Sequence, residues 1–273
     1  MKDTGYSVNR SGELLYITFP KLSAADGVRH VFSTRKGGVS GGMYSSMNLS
    51  FRNGDSRENV LENYRRICGA TGIDPARLVL SKQTHTNNVI TVTSADIGTG
   101  VSKPDFCDVD GMVTAEPGVA LVTHFADCVP LLFYDPVARV CANSHSGWRG
   151  TVQKIGAVTV EKMVKEFGCD PENIIAAIGP CICKDCYEVD LPVYNAFCEA
   201  GFDPEKIFKN SGEPDHFLLD LRGANELIFL EAGIRRENLD IAELCTAENS
   251  DLLHSHRATA GKRGSLAAII EMN

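Results

Sequence analysis

With 273 residues, 43% of them hydrophobic, the chain can bury a sizeable core, and the expectation is a single domain over residues 1–273. A formal charge of −8 and a pI near 5.4 supply no overall basic field for a polynucleotide, so nucleic acid is disfavoured as a partner. No apolar run reaches the roughly 18 to 20 residues that span a bilayer, and Met1-Lys2-Asp3-Thr4-Gly5 opens no charged-then-apolar leader, so the expectation is a cytoplasmic protein without a membrane partner.

In chain order, "LLYITF" from Leu14 to Phe19 predicts a strand. "HVFSTRKGGVSGGMYSSMNLSF", from His30 to Phe51, carries four glycines and reads as an irregular surface loop. From Asp55 the pattern turns helical, with Asp55 or Ser56 as N-cap and Val60, Leu61, Tyr64, Ile67 and Cys68 on one face. "LVLSKQTHTNNVITVT" returns to strand character around a polar turn, Gln83 to Asn88, which places His85 where two strands meet. Val119 to Tyr134 reads as a buried strand broken at Pro130, with Val140 to Ser144 as its partner across the "YDPVAR" turn, so Cys128 and His145 fall near strand ends. After Gly150 a helix turns Ile155, Val158, Met163, Val164 and Phe167 inward, and "NIIAAIG" is the next strand. Helices near Leu191 to Ala200 and Leu219 to Ala232 precede a closing strand in "SLAAIIEMN". Helices and strands mix without a βαβ rhythm, and neither GxGxxG nor GxxxxGK[ST] occurs. The fold class is therefore α+β, layered, with mixed sheets flanked by helices, and a Rossmann or P-loop enzyme is disfavoured.

Ten cysteines spread through a chain of this length point to reduced thiols rather than a disulfide scaffold. Cys128 follows Asp127 in an otherwise apolar strand, where a thiol is commonly just a small buried hydrophobe. His85 sits in the polar "KQTHTNN", where most histidines are ordinary hydrogen-bonded residues. His145 is crowded by Ser144, Ser146 and Gly147, and Trp148-Arg149-Gly150 follow at an expected helix start. Taken together, one thiolate and two imidazoles form a legitimate three-ligand set for a catalytic zinc whose fourth position is left to water or substrate. Spacing alone does not show that they converge.

The blocks "HVFSTRKGGVSGGMYSSMNLSF", "KQTHTNNV", "DVDGMVT", "FADCVPLLFYDP", "HSGWRGT", "IGPCICKDCYEV" and "SHRATAGKRGSLAAII" resemble, in this order, the hallmark blocks of the bacterial YfiH/YlmD-like laccase-domain family, related to the mammalian FAMIN protein. The resemblance runs from about Val31 to Ile270. It implies a layered fold similar to the catalytic domain of a bacterial deamidating toxin. It also implies a metal site that maps by motif to His85, Cys128 and His145. The implied activity is on purine nucleosides, by phosphorolysis of adenosine, inosine, guanosine or methylthioadenosine and by hydrolytic deamination of adenosine. Some members are also implicated in keeping wrong residues out of peptidoglycan precursors. The implied cofactor is zinc, with copper as a competing ion, and the implied partners are a nucleoside and phosphate, in a monomer or small homo-oligomer.

Within that frame Asp127 is a candidate proton shuttle, although strict strand alternation turns it away from the face of Cys128. Phosphate recognition calls for arginine forks, for which Arg35, Arg149 and Arg257 occur in the matching blocks, with Arg149 foremost. Asn48 is a candidate for substrate hydroxyl or base, ahead of Tyr44, Gln83 and Ser33. His124, four residues before Cys128, is a competing ligand on the same strand face. The chain departs from the family pattern twice. Cys183-Lys184 replaces a Gly-Pro pair, grouping Cys181, Cys183 and Cys186 in one loop, where a second metal site would need a fourth ligand and structural thiols are expected. "HSHRATAGKRG" replaces a more common "FSYRR" and adds His254 and His256.

Three other readings compete. A blue multicopper oxidase needs about ten histidines, many in His-x-His pairs. With seven histidines and one such pair, this chain leaves copper oxidase chemistry as a side activity. Without a metal, Cys128 as nucleophile and His145 as base would make a cysteine amidase or deamidase for peptides or peptidoglycan precursors. A closed four-ligand site including His124 would make a non-catalytic zinc protein.

Overall fold

A strand that is almost wholly apolar needs cover on both faces, and Val129–Asp135 and Leu266–Met272, apolar but for Pro130, Asp135 and Glu271, are buried along their whole length. In the computed structural model, which describes residues 5–273, they get it from a layered arrangement of two large mixed sheets. Met1 to Thr4, part of the stretch that predicts no leader, lie outside the described residues. The first sheet has seven strands in the order Ser7–Ser11, Leu14–Thr18, Val28–Ser33, Leu266–Met272, Ala120–Phe125, Leu78–Lys82 and Phe106–Cys107. The second has six, in the order Leu239–Ile241, Ile175–Ile178, Val129–Asp135, Val140–Ser146, Gly111–Thr114 and Val89–Thr91. A small third sheet joins Glu188–Asp190, His216–Leu219 and Phe208–Asn210.

The period-two alternation of side chains divides each apolar run between two cores. Leu121, Phe125, Ala268 and Ile270 of the first sheet meet Met112, Leu132, Tyr134 and Ala177 of the second. Val122 and Ile269 face the other way, onto Val60, Tyr64 and Ile67 of the Arg57–Thr71 helix. Leu131 and Phe133 face outward from the second sheet onto Ile155, Met163 and Phe229, carried by the helices Ile155–Phe167 and Leu221–Glu231. Asn143 crosses the sheet interface without an unmet polar atom. Its amide donates to the carbonyls of Leu121 at 3.0 Å and Ala268 at 2.9 Å, and Thr123 donates to its oxygen. Among the described residues no helix is long and apolar enough to cross a membrane.

The layered class is as expected, but three local expectations change. The run through Val119 to Tyr134 breaks at Ala126–Cys128 rather than at Pro130, because the chain there leaves the first sheet and enters the second. Leu61 is exposed and Asn63 is buried: positions 60, 63, 64 and 67 share a helical face, while 61 lies about 100° round. The glycine-bearing stretch begins as the strand Val28–Ser33, and Met47 to Ser50 are buried because Asn63 holds the Asn48 carbonyl at 2.8 Å and Asn48 accepts from the Ser265 N–H at 2.9 Å.

Candidate metal centre

The candidate side chains collect where the chain passes from one sheet to the other. Leu78–Lys82 belongs to the first sheet and Val89–Thr91 to the second, and His85 lies on the link between them. Cys128 lies on the link from Ala120–Phe125 to Val129–Asp135. His145 comes from the neighbouring strand, paired in register with Pro130. The donor atoms of His85, Cys128 and His145 lie within 4.8 Å of one another, with Cys128 Sγ 3.9 Å from His85 Nε2. The two imidazoles meet edge to face at 4.9 Å.

Asp110, which no sequence argument singled out, builds this arrangement. It is fully buried. Its Oδ1 accepts from the His85 N–H at 3.0 Å and from His145 Nδ1 at 2.8 Å; its Oδ2 accepts from the N–H groups of Thr84 and Thr86 and from the Thr86 hydroxyl, each at 3.0 Å. Three successive amides wrapped on one carboxylate form an anion nest. It holds His85 at φ 67°, a left-handed conformation that costs an L residue on the order of 1–3 kcal/mol when nothing holds it there. Burial alone would raise the Asp110 carboxyl, but the His145 contact and the amides bring it down to about 2. The sequence signal was the quoted "DVDGMVT": a carboxylate leading into a fully buried strand needs donors to be tolerated there.

Burial opposes ionisation of the Cys128 thiol, yet His145 and His85 bring it down to about 6. Burial also opposes protonation of His145, and Cys128 and Asp110 raise it to about 9. The site therefore favours a thiolate. Gly147 completes the packing, because a Cβ there would lie 2.7 Å from His85 Cδ2 and 3.1 Å from Cys128 Sγ.

These groups sit at a cavity of about 490 Å³. Phe125, Trp148, Ile182 and Tyr187 line it, together with Arg52, Lys82, Arg149, Arg257 and Arg263. Arg149 stacks on Trp148 at 4.2 Å. Arg257 stacks over Tyr187 and donates to the carbonyls of Cys186 and Glu188. Arg52, Lys82 and Arg263 were not anticipated; "FRN" and "GKRG" carry basic residues, but only the folded chain turns them inward.

Asp127 lines the cavity with both carboxylate oxygens engaged, Oδ1 by the Thr246 hydroxyl at 2.6 Å and Oδ2 by the Arg257 N–H at 2.7 Å. Arg35 and Asn48 are not brought to the cavity. Arg35 donates to the carbonyls of Ser45 and Ser250, and the Asn48 amide is held by Ser50, Asn53 and Asp55. Ser33 and Tyr44 are likewise engaged away from it, whereas Gln83 lines it while pairing with the His124 backbone. His124 stands outside the three-ligand cluster, its Nε2 2.9 Å from the Tyr64 hydroxyl and from the Leu49 carbonyl oxygen. His256 lines the cavity, and His254 is buried behind it beside Gly264.

A family model described as multi-copper polyphenol oxidoreductase laccase matches residues 29–273. A purine nucleoside phosphorylase, YlmD of Bacillus subtilis, is 35% identical over 243 residues, covering 88% of this chain and 87% of that protein. An adenosine deaminase from an unknown prokaryotic organism is 34% identical over 235 residues, covering 84% of this chain and 89% of that one. The crystal structure of Bacillus licheniformis YfiH, described as a hypothetical protein, superposes with a TM-score of 0.91 at 29% identity, over 97% of this chain and 99% of that one.

Proposed function

This chain belongs to the multi-copper polyphenol oxidoreductase laccase family, and from that premise we propose that it is a zinc-dependent purine nucleoside enzyme that cleaves nucleosides with phosphate and deaminates adenosine. The observation that carries the reading is the convergence of His85, Cys128 and His145 on a cavity with aromatic and cationic walls. The donors suit the ion. Asp110 occupies His145 Nδ1 and leaves Nε2 as the ligating nitrogen, and the surroundings of Cys128 favour its thiolate. When bound, zinc would supply a Lewis acid and a water whose pKa falls toward about 7. The same donors accept Cu(II), consistent with oxidase chemistry as a side activity.

The chain's own residues account for recognition. A cavity of about 490 Å³ suits a nucleoside, with Phe125, Trp148 and Tyr187 offering aromatic surface to the purine. Arg149 makes no ion pair among the described residues, and with Arg257 it is assigned to phosphate. In phosphorolysis a phosphate oxygen bonds to ribose C1′ as the bond from C1′ to the purine breaks, and the purine leaves with a proton. In deamination, water adds at C6 and ammonia departs. Asp127 is assigned to positioning: through Thr246 and Arg257 it holds the cavity wall beside Cys128.

Product analysis of zinc-loaded protein with adenosine tests this. Phosphate-dependent adenine and phosphate-independent inosine are expected, both lost with chelator; no product in either arm would refute the reading. One observation favours a second reading: Cys128, His145 and Asp110 stand in the order nucleophile, base and orienting acid. A cysteine amidase or deamidase for peptides or peptidoglycan precursors would keep its activity in chelator and lose it to iodoacetamide at Cys128.

A further inference from the structure

On the far side of the cavity wall, the loop after Ile175–Ile178 and the loop after Leu239–Ile241 run side by side. Cys181 and Cys245 pair as an isolated parallel bridge, and the Thr246 N–H donates to the Cys181 carbonyl at 3.1 Å. Each loop then makes a tight turn. Cys183 to Cys186 is closed by the Cys186 N–H on the Cys183 carbonyl at 3.1 Å, which brings two thiols together in a C-x-x-C spacing. Cys245 to Glu248 repeats that spacing with a carboxylate in the last place. The outcome is a four-donor cluster, with the ligand atoms of Cys183, Cys186, Cys245 and Glu248 all within 4.8 Å of one another. All ten cysteines are free, so no disulfide uses these thiols.

We infer that Cys183, Cys186, Cys245 and Glu248 form a second metal site, a closed four-ligand structural site for zinc, separate from the centre at His85, Cys128 and His145. A tetrahedral ion with arms of about 2.3 Å sets its donors about 3.8 Å apart, which this cluster spans with little movement. Three thiolates and a carboxylate select a soft or borderline dication and reject magnesium or calcium. The Cys183 N–H points at Cys245 Sγ at 3.3 Å, the kind of amide donor that steadies a ligating thiolate. Three thiolates and a carboxylate around a dication leave net negative charge. Arg222, which with Cys183 lines a second cavity separate from that of the first centre and has a buried Nε without a hydrogen-bond partner, supplies a compensating cation. Of the three cysteines clustered in the linear sequence, Cys183 and Cys186 serve as donors and Cys181 does not; the other two donors, Cys245 and Glu248, come from the second loop.

The consequence reaches the cavity. The Ile182 N–H donates to the Asp127 carbonyl at 3.0 Å, and Thr246 donates to the Asp127 carboxylate, so both loops joined by this ion grip the segment that carries Cys128. Ile182 and Tyr187 themselves line that cavity. An ion here is a clasp for the wall and contributes no open coordination position.

The test is metal content of the full chain purified without chelator. Cys128→Ser, which removes a ligand of the first centre, should retain about one zinc per chain, and adding Cys186→Ser should remove it. Cobalt loaded into the Cys128→Ser protein should give a thiolate-to-cobalt charge-transfer band of three-thiolate intensity, weakened by one third on Cys245→Ser. Glu248→Gln changes an exposed residue that the fold does not need, and should speed zinc loss to a chelator while circular dichroism stays unchanged. A folded Cys128→Ser protein without metal, or a Cys183–Cys186 disulfide in the intact mass, would overturn the site. Because the ion is counted with the first centre disabled, a failure of nucleoside turnover does not enter the result.

Discussion

One carboxylate oxygen of Asp110 stands 2.8 Å from His145 Nδ1 and also holds the His85 backbone N–H at 3.0 Å, so a single buried atom orients both histidines of the centre. Replacing it by asparagine keeps the volume but removes the charge, and leaves the site with an amide that cannot accept from all the donors facing it. Asp110→Asn should weaken zinc binding by about 10- to 100-fold, as read by competition with a metal-buffering chelator. Unchanged affinity would remove Asp110 from the design of the centre.

Gly147 has φ −77°, so its need for glycine is steric rather than conformational. Gly147→Ala places a methyl group against His85 and Cys128. Turnover and zinc retention should fall at least tenfold while the melting temperature moves by only a few degrees, since about 1 kcal/mol shifts a large domain by roughly 2–4 °C. Wild-type zinc affinity in this variant would mean that the ligand geometry tolerates displacement.

The two arginines assigned to phosphate, Arg149 and Arg257, give a reaction-specific expectation. Arg149→Ala should raise the KM for phosphate by about tenfold or more, the loss of a charge-assisted contact, and leave phosphate-independent deamination of adenosine close to wild type. Equal damage to both reactions would show that Arg149, stacked on Trp148, serves the nucleoside instead.

Stability should fall in mild acid. His30 is buried against Phe19 and accepts its N–H at Nε2 over 2.8 Å, and burial brings the ring down from 6.5 to about 4. The unfolded chain therefore takes up a proton that the folded chain refuses between those values. The contribution is complete above pH 6.5 and lost as pH falls toward 4, by about 3 kcal/mol for this residue. Burial also lowers His124 and His254, to about 3, which extends the trend downward. Urea unfolding from pH 7 to 4.5 should show wild type losing stability faster than His30→Gln; parallel curves would contradict this origin.

The strands, the helices and the three candidate ligands were legible because each leaves a local trace. Period-two and 3.6-residue patterns mark the elements, and unusual polar residues beside apolar runs mark His85, Cys128 and His145. What the sequence could not show was the change of sheet. Residues 126 to 128 carry no proline or glycine to announce it, and Asp127 takes φ 90° because its own side chain is held from both sides. Asp110 was hidden for a related reason, as its five donors come from Thr84 to Thr86 and from His145, all distant in sequence. Asn48 and Arg35 show the opposite failure: polar residues in motif-rich loops, used to fix the loop itself.

Leu266–Met272 lies between Val28–Ser33 and Ala120–Phe125, pairing antiparallel with both. On a ribosome, the first sheet thus stays split until its middle strand has emerged, and the strand that feeds Cys128 into place waits with it. From the emergence of Ala120–Phe125 until that of Leu266–Met272 the nascent chain exposes two unpaired strand edges, the kind of edge that pairs with neighbouring chains. The candidate centre would then be completed only after that strand is in place, and a chain lacking it would carry an incomplete sheet.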